Sequence, residues 1–191
     1  MNFVVVYEDI ISFESAAKII SSFPQHTINN RIHSHGFGNI KKNIIVYNKS
    51  AHVIPFFIIT DLDRHTCAPS LIAEWFGQVS PAEKLIFRVA VREIESWLLA
   101  DRDAAAEFLG VSSKKIHIGP DEIQDPKQFL INLAQSSRKR LIREGITPIN
   151  SSPLGPLYND LLSDFIRMQW SPERARVHSP SLNRAMNSLD L

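Results

Sequence analysis

Val53-Ile54-Pro55-Phe56-Phe57-Ile58-Ile59-Thr60 runs directly into Asp61-Leu62-Asp63, and the fold turns on how this stretch is read. A run this short, and this rich in β-branched and aromatic side chains, predicts a buried strand rather than a helix. In open α/β sheets, ligands sit just outside the carboxyl ends of such strands, which is where Asp61 and Asp63 fall. Two carboxylates there repel each other and resist desolvation unless they share something positive. Mg²⁺ is the usual partner, because it wants hard oxygen ligands and takes only one or two carboxylates from protein. The plainer role for such aspartates is to cap a following helix.

Working outward, Phe3–Tyr7 reads as a first strand ending in Glu8-Asp9. Ser12 is expected to cap a helix with Phe13, Ala16, Ala17, Ile20 and Phe23 on one face, closed by Pro24. His33–Lys42 reads as a loop leading into a short strand over Ile44–Tyr47. After the acidic pair, Pro69 suits the first turn of a helix that ends at Phe76 with Gly77 as its stop. A fourth strand, Leu85–Val91, leads into Arg92-Glu93-Ile94-Glu95-Ser96-Trp97-Leu98-Leu99-Ala100-Asp101. Alternating strands and helices predict an α/β fold, a mostly parallel sheet with helices on both faces.

Past Asp101 the β-rich segments nearly vanish. Residues 1–101 are read as the α/β core and 102–191 as a helical extension packed on it as one structural unit. Helices are expected over Asp103–Leu109, stopped by Gly110; over Pro126–Glu144 as one long element; from near Pro156, with Tyr158, Leu161, Leu162 and Phe165 inward; and from Ser179-Pro180. The connection falls at Pro148–Pro156.

In a parallel sheet the acids at three strand ends, Glu8, Asp61 with Asp63, and Glu93 with Glu95, open on one edge. Several carboxylates on one edge suit a Mg²⁺ or Mn²⁺ site for phosphoryl chemistry. Glu93 and Glu95 are two apart and diverge on a helix, so both reach one metal only if the strand continues through them; Glu95 is the first choice. His65, beside the acidic pair, is a candidate for proton transfer or phosphate contact, with capping or plain exposure as the alternative.

The 191 residues are 44% hydrophobic and 21% charged, with a net charge of +1, as in an ordinary soluble domain with no global attraction for polyanions. Any anionic partner must be held by local patches. A single cysteine, Cys67, excludes an internal disulfide and fits a reducing compartment. With no signal-peptide pattern and no membrane-length apolar run, a cytoplasmic location is expected.

Glu8 after a first strand, Asp61-x-Asp63 after a later one and Glu95-Ser-Trp97-Leu-Leu-Ala-Asp101 together resemble the Toprim-like proteins. More narrowly, the chain is similar to a bacterial Toprim-like family of unknown function, related to the overcoming-lysogenization-defect nucleases, over roughly residues 1–101. The resemblance implies that Glu8, Asp61 and Asp63 hold Mg²⁺ for phosphodiester hydrolysis in nucleic acid, with Glu95 or Glu93 nearby. It also implies a partner ATPase and a role in phage defence, since the chain has no P-loop of its own. The sequence departs from the family at Asp9, where many Toprim proteins have glycine, which adds negative charge and crowds the backbone. Asp61-Leu62-Asp63-Arg64-His65-Thr66 also resembles the haloacid-dehalogenase phosphatases, although their motif lies on the first strand. The alternatives to a nuclease are therefore a small-molecule phosphatase or phosphotransferase and an inactive Toprim-like binding or regulatory subunit.

Lys41 and Lys42, after Gly36-Phe37-Gly38, are candidate phosphate contacts, with a simple turn as the plainer reading. Lys139, Arg140 and Arg143 are expected as a basic stripe on the long helix, joined by Arg174 and Arg176 in tracking a nucleic-acid backbone. Most such stripes are solvated surface. His33 and His35 read as surface histidines, and Trp75, Trp97 and Trp170 as core anchors.

Overall fold

In a computed structural model, which describes residues 1–190, Phe56–Asp61 is a strand buried up to its last residue. It is β3 of four: β1 is Asn2–Tyr7, β2 Thr27–His33 and β4 Leu85–Ala90. All pairs are parallel, in the order β2-β1-β3-β4. Helices α1 (Ile10–Ser21), α2 (Phe37–Ser50) and α3 (Ala68–Phe76) connect them. Strand alternation sends Phe3, Val5, Phe57 and Ile59 into one core layer, beneath α1 and the later helices. Val4, Val6, Phe56 and Ile58 enter the other, against Ile40, Ile44, Leu71 and Trp75 of α2 and α3. Both faces are covered, which is why the strands read as unbroken apolar runs.

The segment between β1 and β3 differs from expectation. Ile44–Tyr47 is not a strand but the middle of α2, and the preceding strand is β2, which ends where the loop expected over His33–Lys42 begins. Strand β2 lies at the sheet edge and is mostly exposed, so Thr27-Ile28-Asn29-Asn30-Arg31-Ile32-His33 lacks the apolar run of a central strand. Phe37, Ile40, Ile44 and Tyr47 stand at helical spacing and line one packed face of α2. The start of α1 also shifts. Its cap is Asp9, which accepts from the backbone N–H of Ser12 at 2.8 Å and from the Ser12 hydroxyl at 2.9 Å.

Helix α4 (Ile94–Ala100) follows β4, and the second half supplies α5 (Arg102–Leu109), α6 (Pro126–Gln135), α7 (Arg140–Ile146), α8 (Tyr158–Met168), α9 (Pro172–Ala175) and α10 (Pro180–Asn187). Their apolar faces join Phe3, Phe57 and Ile86 in a single cluster. The long helix expected over Pro126–Glu144 is two, broken at Ser136-Ser137-Arg138. There the Ser137 hydroxyl accepts from the Lys139 N–H, and the Arg138 N–H donates to the Gly110 carbonyl. Gly110 ends α5 at φ 66°, and a Cβ there would meet Lys139 Cγ at 2.9 Å, so the break and the glycine belong to one joint. Among the described residues, no helix is long and apolar enough to cross a membrane.

Candidate functional site

The strand order turns back at β1. The chain leaves β1 for β2 on one side and later fills β3 and β4 on the other, so the switch point lies between the carboxyl ends of β1 and β3. Such a crevice is where open α/β sheets bind ligands. Glu8 and Asp61 flank it. Thr60 donates its hydroxyl to Glu8 Oε1 at 2.5 Å, and the nearby backbone N–H of Asp61 favours the charged form of the same carboxylate. The Thr60 bond holds the end of β1 to the end of β3.

Glu93 and Glu95 enter from β4. Glu93 is extended, at φ −136° and ψ 161°, and caps α4, while Glu95 lies in its first turn. The strand therefore does not continue through them. Because Glu93 stands outside the helix, the divergence expected for positions two apart does not arise, and both glutamates meet Lys127 of α6. Glu93 Oε2 accepts from the Lys127 backbone N–H at 2.9 Å, and the Lys127 ammonium lies 3.6 Å from Glu95 Oε1 and 4.0 Å from Glu93 Oε1. Tyr158 of α8 donates its hydroxyl to Glu95 Oε1 at 2.7 Å.

The electrostatics follow from burial. Burial raises the carboxyl of Asp61 well above the ordinary aspartate value, helped by the charges of Glu95 and Glu8 and opposed by Lys127. Glu8, Glu93 and Glu95 are also raised, burial again being the main cause. Burial alone would lower the Lys127 ammonium, but Glu95, Glu93 and Asp61 outweigh it and hold the group charged. Burial and then the Glu95 charge raise the Tyr158 phenol, which stays a donor. Two oxygens are left over: Asp61 Oδ1 and Glu95 Oε2 are buried with no hydrogen-bond partner. Buried polar atoms are nearly always paired, so these two are open valences of the site.

Other candidates fall elsewhere. Asp63 is exposed, in a left-handed turn at φ 48°, and its charge acts on Glu8 and Glu93 only as a minor influence. His65 turns away from the cluster: Nδ1 lies 3.2 Å from the Leu62 carbonyl and Nε2 3.3 Å from Glu74 Oε2. Lys41 pairs with Glu74, while Lys42 is exposed. Asp9, with its extended backbone, sits at the head of α1 without the left-handed geometry that would call for glycine.

The basic stripe is dispersed among local bonds. Lys139 Nζ donates to the Glu107 carbonyl, Arg140 pairs with Glu144, and Arg143 donates to the Ser137 carbonyl. Arg174 grips Asp101 through two parallel bonds of 3.0 and 2.7 Å, and Arg176 bonds Asn183. Among the described residues, no group of three or more histidine, cysteine or acidic side chains is arranged so that it could hold a metal ion.

Sequence reasoning gave no site role to Lys127, Tyr158 or Thr60. Lys127 and Tyr158 lie within the first turns of α6 and α8; Tyr158 was expected to face inward, but nothing local marks either as a partner of Glu95. Thr60 was visible as the one polar residue inside the strand. The Glu95–Asp101 block gains a structural meaning as well. Trp97 Nε1 donates to Ser181, the Trp97 carbonyl accepts from Trp170 Nε1, and Asp101 holds Arg174, so the block fastens the helical half to the sheet. Comparison of the chain with protein-family models, curated proteins and solved structures gives no match.

Proposed function

We propose that the chain is a Mg²⁺- or Mn²⁺-dependent phosphodiester hydrolase of Toprim type acting on nucleic acid, with its centre at the β1–β3 switch point. The observation that carries this reading is the unpartnered, buried Asp61 Oδ1 beside Glu8. Mg²⁺ takes one or two carboxylates and completes its shell with water and phosphate oxygens, so the Glu8–Asp61 pair fits it without a third acid. A divalent cation there supplies charge neutralisation at the phosphoryl group and a water that ionises more readily. The chain's own contributions are positional. Thr60 fixes the Glu8 carboxylate, Tyr158 fixes Glu95, and Lys127 lowers the repulsion that four clustered acids would otherwise develop. Asp63 stands at the rim, where it can meet solvent-borne ligands.

A second reading is supported by Lys127. Its ammonium already provides a positive charge to Glu93, Glu95 and Asp61, which suits an inactive Toprim-like subunit that serves a partner ATPase. The test is a panel of plasmid, linear duplex, single-stranded DNA, RNA and a chromogenic phosphomonoester, each with Mg²⁺ and with Mn²⁺. Cleavage of a polymer, abolished by chelator and by Asp61→Asn, is the expected result. Hydrolysis of the phosphomonoester alone would replace the nuclease reading with a phosphatase. Silence on all substrates until a partner ATPase is added would select the subunit.

A further inference from the structure

The clearest feature outside the acidic centre is a cavity of about 500 Å³ across the free edge of β4, between α3 and α10. Ile72, Phe87 and Val89 give it an apolar wall, and Arg88, Arg184 and Ser181 give it a polar one. No acid lines it. Strand β4 ends the sheet order, so one of its edges has no strand neighbour.

Arg88 is the only charged residue in β4. Its Nε donates to the Ser188 hydroxyl at 3.0 Å and its NH1 to the Phe87 carbonyl at 3.1 Å, both neutral acceptors. Among the described residues, the groups acting on Arg88 include no carboxylate. Burial, then the like charge of Arg184, lowers its pKa. Arg88 is half-buried and Arg184 exposed, and both line the same cavity with no acid among its lining residues, so the wall carries two guanidiniums without a carboxylate partner there, an arrangement that favours an anion. Asp121, the acid bonded to the α10 start, is taken up by the Ser179 hydroxyl and the Ser181 N–H.

The strand edge adds donors. The carbonyls of Lys84 and Ala90 face β3, so strand alternation turns the N–H groups of Phe87 and Val89 away from it, toward the free edge. Guanidinium forks match tetrahedral oxyanions, and a dianion neutralises two of them where a carboxylate would leave one charge over.

We propose that this cavity binds a phosphate monoester group through Arg88 and Arg184, with the body of the ligand against Ile72, Phe87 and Val89. The site is separate from the acidic centre and does not depend on the hydrolase reading. Two sources share this chemistry: a free mononucleotide and the terminal phosphate of a strand.

The experiment measures binding to the purified protein in EDTA, at constant ionic strength, by titration calorimetry and by melting temperature. The probes are inorganic phosphate, a nucleoside 5′-monophosphate, acetate, and one oligonucleotide with and without a 5′-phosphate. Phosphate and the monophosphate are expected to bind and raise Tm, the monophosphate more tightly because it also uses the apolar wall. Arg184→Gln, an exposed position that leaves the fold intact, is expected to weaken both about tenfold or more. Arg88→Gln should do the same, and Asp61→Asn should change neither. Tighter binding of the 5′-phosphorylated oligonucleotide than of its 5′-hydroxyl form assigns the site to strand ends; equal binding of the two, with the monophosphate bound, assigns it to free nucleotide. Absence of phosphate binding, equal binding of acetate, or undiminished binding by Arg184→Gln overturns the proposal. So does loss of binding in Asp61→Asn.

Discussion

Tyr158 donates its hydroxyl to Glu95 Oε1 at 2.7 Å, across 63 positions of chain, and so makes α8 part of the acidic edge of the sheet. On the same Glu95 oxygen the Lys127 ammonium closes from α6 at 3.6 Å. The helical half thus supplies one donor and one charge to a carboxylate that the α/β half presents. Glu93 and Glu95 lie on one side of position 101, and the ammonium and phenol that make their burial tolerable lie on the other.

Removing the hydroxyl is the mildest probe of that link. Tyr158→Phe keeps the ring packing and deletes one bond to a buried, charged acceptor, which should cost about 1.5–3 kcal/mol. Urea denaturation should show the midpoint falling with the slope unchanged. An unchanged midpoint would mean that the bond contributes nothing in solution.

Lys127→Met should be more costly, because it takes the cation from Glu93 and Glu95 together. The Lys127 side chain is 32% exposed, so the loss should be about 2–3 kcal/mol at neutral pH, below the 3–5 of a fully buried pair. Adding Glu95→Gln to the same variant should restore part of the loss. A double-mutant cycle of urea midpoints checks this, and strict additivity would uncouple the two residues.

The pH dependence has a definite sign. The carboxyls of Glu8, Asp61, Glu93 and Glu95 are raised in the folded protein, so the native state holds protons that the unfolded chain has released. Their contribution to stability is complete below the ordinary values of 4.5 and 3.8 and is lost as pH rises through the folded values. Lys127 is raised too, so its contribution is lost only in the alkaline range. As pH rises above the ordinary aspartate value of 3.8, the wild type should therefore lose stability relative to Asp61→Asn. Parallel pH profiles for the two proteins would place the titration elsewhere.

Divalent cation should reverse that loss. At a hundredfold excess over Kd, Mg²⁺ or Mn²⁺ should stabilise the wild type by about 2.7 kcal/mol. Glu8→Gln and Asp61→Asn should each abolish the response, whereas Asp63→Asn, at an exposed rim position, should keep most of it. A response that survives in Glu8→Gln/Asp61→Asn would move the metal to another site.

Among the basic residues, Arg140 and Arg143 should separate. Arg140 pairs with Glu144 at an exposed site, so Arg140→Ala should leave stability essentially unchanged. Arg143 donates at 2.7 Å to the Ser137 carbonyl at the α6–α7 break, and Arg143→Ala should cost about 1 kcal/mol. Thermal melts of the two variants check the order.

The central strands, the parallel sheet and the acids at its edge could be read directly from the sequence. A strand buried on both faces must be apolar throughout, and its carboxyl end must carry whatever meets the ligand. The helix cap at Ser179 and the stops at Gly77 and Gly110 are equally local. Strand β2 was hidden because an edge strand has one neighbour and no need of an apolar run. The α6–α7 break was hidden because it depends on Gly110 and Ser137 meeting across 27 positions. Long-range packing alone decided that Lys127 and Tyr158 join Glu95, that Asp63 stays at the rim while Asp61 Oδ1 is buried, and that Arg88 and Arg184 line one cavity. A sequence pattern records which face of an element is apolar. It carries no record of which distant side chain will supply the charge or the hydrogen bond that a buried carboxylate requires.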